Sequence, residues 1–180
     1  MTSVVLIDCE NLSSPAQRQT VRRWRDFGRI ELFGRDLLVE PWRRALVKAG
    51  LTANAEVLVP DDAPPQAADQ IMAARIRQLT ERAPRPGFIV IASNDKGFDA
   101  DIALARAEGV AAERQGDPSH PQLLRLVAEE LASDGWAPVA GVGDHLARRF
   151  GLRLGGRVEA LARAAGMELA RRPGGLWLRV

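Results

Sequence analysis

The chain has a single cysteine, Cys9. One thiol excludes an internal disulfide and any cysteine-based zinc site, so Cys9 is expected to serve as a small packing residue. Histidine is nearly as scarce: His120 and His145 stand alone, without metal-ligand spacing, and carry no expected catalytic role. Long hydrophobic runs are missing too. The N-terminus offers an apolar run of only four residues, Val4 to Ile7, with no basic lead, which fits neither a signal peptide nor a membrane helix. A cytoplasmic location with no membrane partner is therefore expected. No Walker-type loop occurs either, because Gly141-x-Gly143 lacks the rest of a phosphate-binding pattern, and nucleotide-dependent chemistry has no support.

What is present reads as a globular protein. The 180 residues are 46% hydrophobic and 27% charged, which excludes wholesale disorder and a fibrous class. The length suits one domain, or one of about 120 to 140 residues with a small appendage. The net charge of +2 is unevenly spread: residues 1–140 hold 17 basic and 20 acidic side chains, residues 141–180 hold 8 arginines and 3 acids. Of the 25 basic residues 23 are arginine, the side chain that grips phosphate bidentately.

Val4-Val5-Leu6-Ile7 and Phe88-Ile89-Val90-Ile91-Ala92 are continuous apolar runs without polar alternation, the pattern of strands buried on both faces of a parallel sheet. Further strands are expected over residues 29–34, 55–59 and 110–113. Helices are expected over 16–26, with Ser14 as N-cap and Pro15 at the first position, and over 41–49, 66–82 and 97–108. This alternation predicts a three-layer α/β fold with a mainly parallel sheet, in which sites form at the C-terminal ends of strands near a topological switch.

The acidic residues fall at those ends. Asp8 closes the first buried strand, Glu10 follows two residues later, and Asp95 and Asp99 follow the second, one helical turn apart. Asp69 lies in the first turn of the helix after the Pro-rich loop at 60–65. Converging carboxylates repel one another unless a cation neutralises them, and Mg²⁺ or Mn²⁺ suits an all-oxygen ligand set. Such a site supports attack of water on a phosphodiester, with Asn11 and Ser93 placed to orient a ligand or phosphate oxygen. Taken singly, the same aspartates also suit helix N-termini, where negative charge is favourable.

The segments VVLIDCENL, AADQIMAARI and FIVIASNDKGFDADIALARAEGV, in that order, resemble the motifs of the NYN family of PIN-like nucleases over roughly residues 3–116. The resemblance implies a metal-dependent ribonuclease on a PIN-like α/β/α fold, with Asp8, Asp69 and Asp95 as the acidic positions and Asn11 as the polar one. Many members carry Ser-x-Asp-x-Asp-Phe, whereas here Gly97 stands at the second acid. A related subgroup has Ser-x-Asp-x-Gly-Phe-Asp, matched at Ser93, Asp95, Gly97, Phe98 and Asp99, which makes Asp99 the substitute carboxylate. PIN-like domains often dimerise, so the resemblance also allows a homodimer, although no exposed stripe demands one.

Residues 1–118 would form the nuclease-like domain, 119–133 a connecting helix and 134–180 a separate module. In that module, helices over 143–150 and 156–165 precede a hairpin whose turn is Pro173-Gly174-Gly175, a winged-helix layout. The order Gly-Trp-x-Pro, Gly-x-x-Leu, basic helix and hairpin is similar to the OST-HTH (LOTUS) domain, which implies RNA binding. Arg148, Arg149, Arg153, Arg157 and Arg163 are the expected phosphate contacts, and Trp136 and Trp177 are expected in the module's core. The function expected is an endoribonuclease whose Asp8, Asp69, Asp95 and Asp99 hold the metal while the basic module holds RNA. Two alternatives remain: a weak or inactive PIN-like RNA-binding scaffold, if Asp99 faces away from Asp8 and Asp95, and a DNA-binding regulator, if the module prefers duplex DNA.

Overall fold

The computed structural model describes residues 2–12 and 20–180. The expected N-cap Ser14 and helical Pro15 lie outside the described residues. The chain divides into two compact units, Met1–Asp117 and Pro118–Val180, with Asp117-Pro118 at the boundary.

The first unit is a three-layer α/β/α fold. Strands β1 (Ser3–Asp8), β2 (Arg29–Gly34), β3 (Ala55–Leu58), β4 (Phe88–Ala92) and β5 (Ala111–Gln115) form one sheet in the order β3-β2-β1-β4-β5. Every pairing is parallel. The order reverses direction between β1 and β4, which makes their C-terminal ends the topological switch point. Period-two alternation divides β1 between the two faces. Val5 and Ile7 pack with Trp24 and with Val39, Trp42 and Leu46 of helix α1 (Asp36–Lys48). Val4 and Leu6 pack with Met72 and Ile76 of α2 (Ala67–Glu81), and with Ile102 and Ala105 of α3 (Asp99–Ala107). The two strands read as non-alternating are therefore the central pair, sandwiched on both sides.

Local details depart from the expected boundaries. Helix α1 begins five residues before Pro41, with Asp36 in its first turn. Pro41 forfeits only the bond to the carbonyl of Leu37, an exposed residue near the helix start, so the ring shortens the hydrogen-bond ladder without ending the helix. The described part of the expected 16–26 helix is a 3-10 turn, Val21–Trp24, whose buried Val21 and Trp24 plug the α1 side of the sheet. Gly34, with φ of +143°, is required at the end of β2: a β-carbon there would lie 3.2 Å from Glu10 Cγ and 3.4 Å from Cys9 Cβ.

A charged pair sits inside the α2 face. Glu31, in the middle of β2, is 1% exposed, and both its oxygens accept from Arg75 of α2, at 2.9 Å from Nε and 2.7 Å from Nη2. Arg29 also lies against the Glu31 carboxylate, at 2.5 Å.

The second unit has its own core. Helix α4 (His120–Leu131) carries a capping box between Ser119 and Gln122 and contributes Leu123, Leu124, Val127 and Ala128 to that core. The segment expected as a connector is thus part of the module. Helices α5 (Val139–Phe150) and α6 (Val158–Ala164) follow, with an antiparallel sheet of β6 (Trp136–Pro138), β8 (Gly175–Arg179) and β7 (Glu168–Arg172), in that spatial order. Three helices and a hairpin with a third strand give a winged-helix-like arrangement. Helix α5 starts four residues before the expected position, because it runs through Gly141 and Gly143. Leu154 packs against Gly143, where an added β-carbon would stand 3.5 Å from Leu154 Cδ1.

The tryptophans of this module are not in its core. Ala137 and Leu178 are fully buried among the core residues, and strict alternation turns Trp136 and Trp177 to the opposite face of the sheet. There both are half-buried.

Among the described residues no helix is long and apolar enough to cross a membrane.

Removing Arg75 leaves the buried Glu31 carboxylate with Arg29 as its remaining cation, whereas removing Glu31 and Arg75 together leaves no buried acid to neutralise. Urea unfolding should therefore show Arg75→Ala less stable by about 1–3 kcal/mol, and Glu31→Leu/Arg75→Leu less destabilised than the sum of its single changes.

Candidate active site at the switch point

The site is built where β1 and β4 end. The register pairs Ile7 with Ala92, so the next residues, Asp8 and Ser93, meet on the α2 side of the sheet. Asp8 is 1% exposed and Ser93 fully buried. Ser93 Oγ donates to Asp8 Oδ2 at 2.7 Å and accepts from the Asp95 amide at 3.0 Å. Asn11 Nδ2 donates to the same Asp8 oxygen at 2.7 Å, and the amides of Glu10 and Asn11 both donate to Oδ1 at 3.1 Å. Four donors thus fill the roughly four lone-pair positions of one carboxylate, which is how a buried charge is made tolerable.

Asp95 caps the 3-10 turn that leads into α3: its Oδ1 accepts from the Gly97 amide at 2.8 Å, and its other oxygen has no donor among the described residues. A β-carbon at Gly97 would come within 3.2 Å of Asp95 Oδ2. The glycine therefore leaves open the space beside this carboxylate where the second acid of the commoner motif would stand.

Asp69 enters from the first turn of α2. The helix is preceded by Gln66 in the left-handed region, φ 69°, a conformation that costs a non-glycine residue of order 1 kcal/mol and fixes the angle at which the chain turns into α2. Among the described residues no hydrogen bond neutralises the Asp69 carboxyl. Its pKa is pushed up to about 6, first by burial and then by the negative charges of Asp8, Asp95 and Glu10. Asp8, Asp95 and Glu10 thus lie near enough to add to the effect of burial on Asp69.

Two expected members are diverted. Asp99, about half exposed, is bound by Arg114 Nε at 2.8 Å, and it is not among the charges that act on Asp69. Glu10 is neutralised by Arg35, whose Nη1 lies 2.9 Å from Oε1 and whose amide donates to the same oxygen at 3.3 Å. Arg35 and Arg114 did not figure among the expected site residues. Both lie at the C-terminal edge of the sheet, Arg35 just past β2 and Arg114 in the last turn of β5, so parallel pairing with the neighbouring strands was the available signal. Ser93 Oγ and Asn11 Nδ2 both donate to Asp8, while Asn11 itself is exposed.

A second cluster borders the β4–β5 end. Asn94 clamps the loop at 116–117, donating to Asp117 Oδ2 at 2.8 Å and accepting from the Asp117 amide at 2.8 Å. Arg23, stacked on Trp24 at 4.4 Å, has its pKa lowered to about 10 by burial, against the opposing charge of Asp117. The expected phosphate contacts of the second unit are spread over its surface. Arg148, Arg153 and Arg157 are exposed, Arg163 pairs with Glu159 at 3.3 Å, and Arg149 is tied to Glu130 and lies over Phe150.

The donor set suits a hard divalent cation: all-oxygen, with Asp69 and one Asp95 oxygen open and the excess negative charge visible in Asp69 itself. As the side chains stand, no three histidine, cysteine, aspartate or glutamate residues among the described ones are grouped tightly enough to close on an ion. With its oxygens already filled, Asp8 fits a role as fixed negative charge better than as a direct ligand.

The raised Asp69 pKa has a stability consequence. Between about pH 4, where the unfolded carboxyl titrates, and about pH 6, the folded chain binds more protons than the unfolded one, so stability falls as pH rises through that window. In EDTA, Asp69→Asn should melt at a higher temperature than the wild type at pH 7, and the gain should vanish below about pH 4.

Compared with protein-family models, with curated proteins and with solved structures, the chain finds no match in any of the three.

Proposed function

We propose that the Met1–Asp117 unit is a PIN-like, NYN-type metal-dependent endoribonuclease that hydrolyses RNA phosphodiester bonds. The observation that supports the reading is the placement of Asp8 and Asp95 at the switch point, with Asp69 entering from α2 and its carboxyl pushed up to about 6, first by burial and then by the charges of Asp8, Asp95 and Glu10. The resemblance of the three motifs to NYN nucleases supports RNA as the substrate class, and the arginine-rich second unit, similar to an OST-HTH module, supports the same ligand.

Asp69 and Asp95 would hold Mg²⁺ or Mn²⁺, with the Asp8 charge behind them. When bound, the cation would lower the pKa of a water and polarise the phosphate. The chain's own residues supply the rest. Ser93 and Asn11 lock the Asp8 carboxylate so that its charge cannot turn away from the site. Ser93 also fixes the Asp95 backbone, and Gly97 turns the Asp95 side chain while leaving its outer oxygen free. Arg35 pairs with Glu10 at the edge of the group. The chain would act in the cytoplasm; a homodimer is compatible with this reading.

One observation favours a second reading, an RNA-binding scaffold with weak catalysis. Asp99, the substitute acid, is spent on Arg114. In that case the acidic group retains metal affinity without turnover.

Labelled single-stranded RNA should be cleaved by the wild type with Mn²⁺ or Mg²⁺ and left intact in EDTA. Asp95→Asn and Asp69→Asn should lower the rate by about 100-fold or more, and Ser93→Ala by about 10- to 100-fold through loss of positioning. Retention of metal-dependent cleavage in Asp95→Asn overturns the assignment. RNA binding without cleavage in the wild type moves the conclusion to the scaffold.

A further inference from the structure

The three-stranded sheet of the second unit has two unlike faces. One is closed by the core through Ala137, Leu178 and Leu169. On the other, the register aligns Trp136 with Arg179 and Glu168, Pro138 with Trp177 and Ala170, and Gly175 with Arg172. Two tryptophans on neighbouring strands therefore stand as diagonal neighbours on a face that no core residue covers.

Arginine threads between them. The Arg172 guanidinium lies 4.6 Å from the Trp136 ring centroid and 5.7 Å from that of Trp177, and Arg179 reaches the Trp136 ring at 5.9 Å. Arg172 is exposed and makes no ion pair among the described residues, whereas Arg179 shares Glu168 at 3.3 Å. The Trp177 indole N–H is anchored on the Pro173 carbonyl at 3.3 Å, which steadies the ring at the hairpin turn. The unit as a whole carries 9 arginines against 6 acids.

From this arrangement we infer that the outer face of β6-β8-β7 is a stacking platform for the unpaired bases of single-stranded RNA, with Trp136, Trp177 and Arg172 as its contact residues. Flat π-surfaces held rigidly beside an unneutralised planar cation match a base and its phosphate together. An A-form duplex keeps its base faces inside the stack and offers nothing to these rings. The positive charge of the unit argues against an acidic-poor protein partner and for a polyanion. The inference rests on the RNA reading above, but it concerns binding by a different unit from the one that carries the acidic group.

The test is run on the full chain in EDTA, where no cleavage is possible, so its outcome is independent of the nuclease assignment. A short oligoadenylate should quench tryptophan fluorescence, because Trp24 and Trp42 are fully buried and the responsive rings are Trp136 and Trp177. An abasic strand of equal length and an RNA duplex should bind more weakly and quench little. Trp177→Ala and Trp136→Ala should each weaken oligoadenylate binding by about 5- to 150-fold, with Trp→Phe restoring part of the loss. Arg172→Ala should weaken it and reduce the salt dependence by about one phosphate contact. Equal binding of the abasic strand, preference for the duplex, or no binding of oligoadenylate overturns the platform. Should an alanine variant unfold, the wild-type comparison of oligoadenylate with the abasic strand decides alone.

Discussion

A single carboxylate organises the open end of the first unit. Asp8 is almost sealed from solvent at the point where the sheet reverses its order, and a bare charge there would cost several kcal/mol. Its four donors come from its own loop and from the end of β4, so satisfying the charge also stitches the two central strands together beyond their last ladder bonds. The loop over residues 9–12 is shaped by the same requirement, since two of the donors are its amides. Ser93, held by Asp8, in turn holds the Asp95 backbone. The position of the second acid is thus a consequence of satisfying the first.

The remaining charges are graded by how they are neutralised. Glu10 has Arg35, Asp99 has Arg114, and Asp8 has neutral donors. Asp69 has none of these among the described residues and absorbs the deficit as a raised pKa. The buried Glu31–Arg75 pair shows that this chain can neutralise a fully enclosed acid when it is structural.

The central strands, the parallel sheet and the acids at its C-terminal edge were legible because each rests on a local pattern: unbroken apolar runs for β1 and β4, an aspartate at each strand end, helical spacing at Ala68, Met72 and Ile76. What escaped depended on pairs distant in sequence. Nothing near Asp99 announces that Arg114 will claim it. Glu31 reads as a polar interruption of a short strand until Arg75 of α2 is laid over it. Gly141 and Gly143 look like helix breakers, yet α5 runs through both, with Gly143 against Leu154. Trp136 and Trp177 were expected in the core because aromatics in small modules usually pack, while the period-two alternation of Leu176-Trp177-Leu178-Arg179 puts Leu178 inside and Trp177 outside.

The outward-facing tryptophans bear on the stability of the second unit. A small domain that leaves two tryptophans half-buried forgoes core area it could have used, since burying an aromatic is among its largest sources of stability. Arg172 recovers part of that loss by covering the rings, but a cation over a π-face is worth only about 0.5–1 kcal/mol at an exposed site. The guanidinium is therefore a cover that a stacking base can share or displace at small cost. A leucine at either position would pack more simply and leave nothing for a flat ligand to rest on.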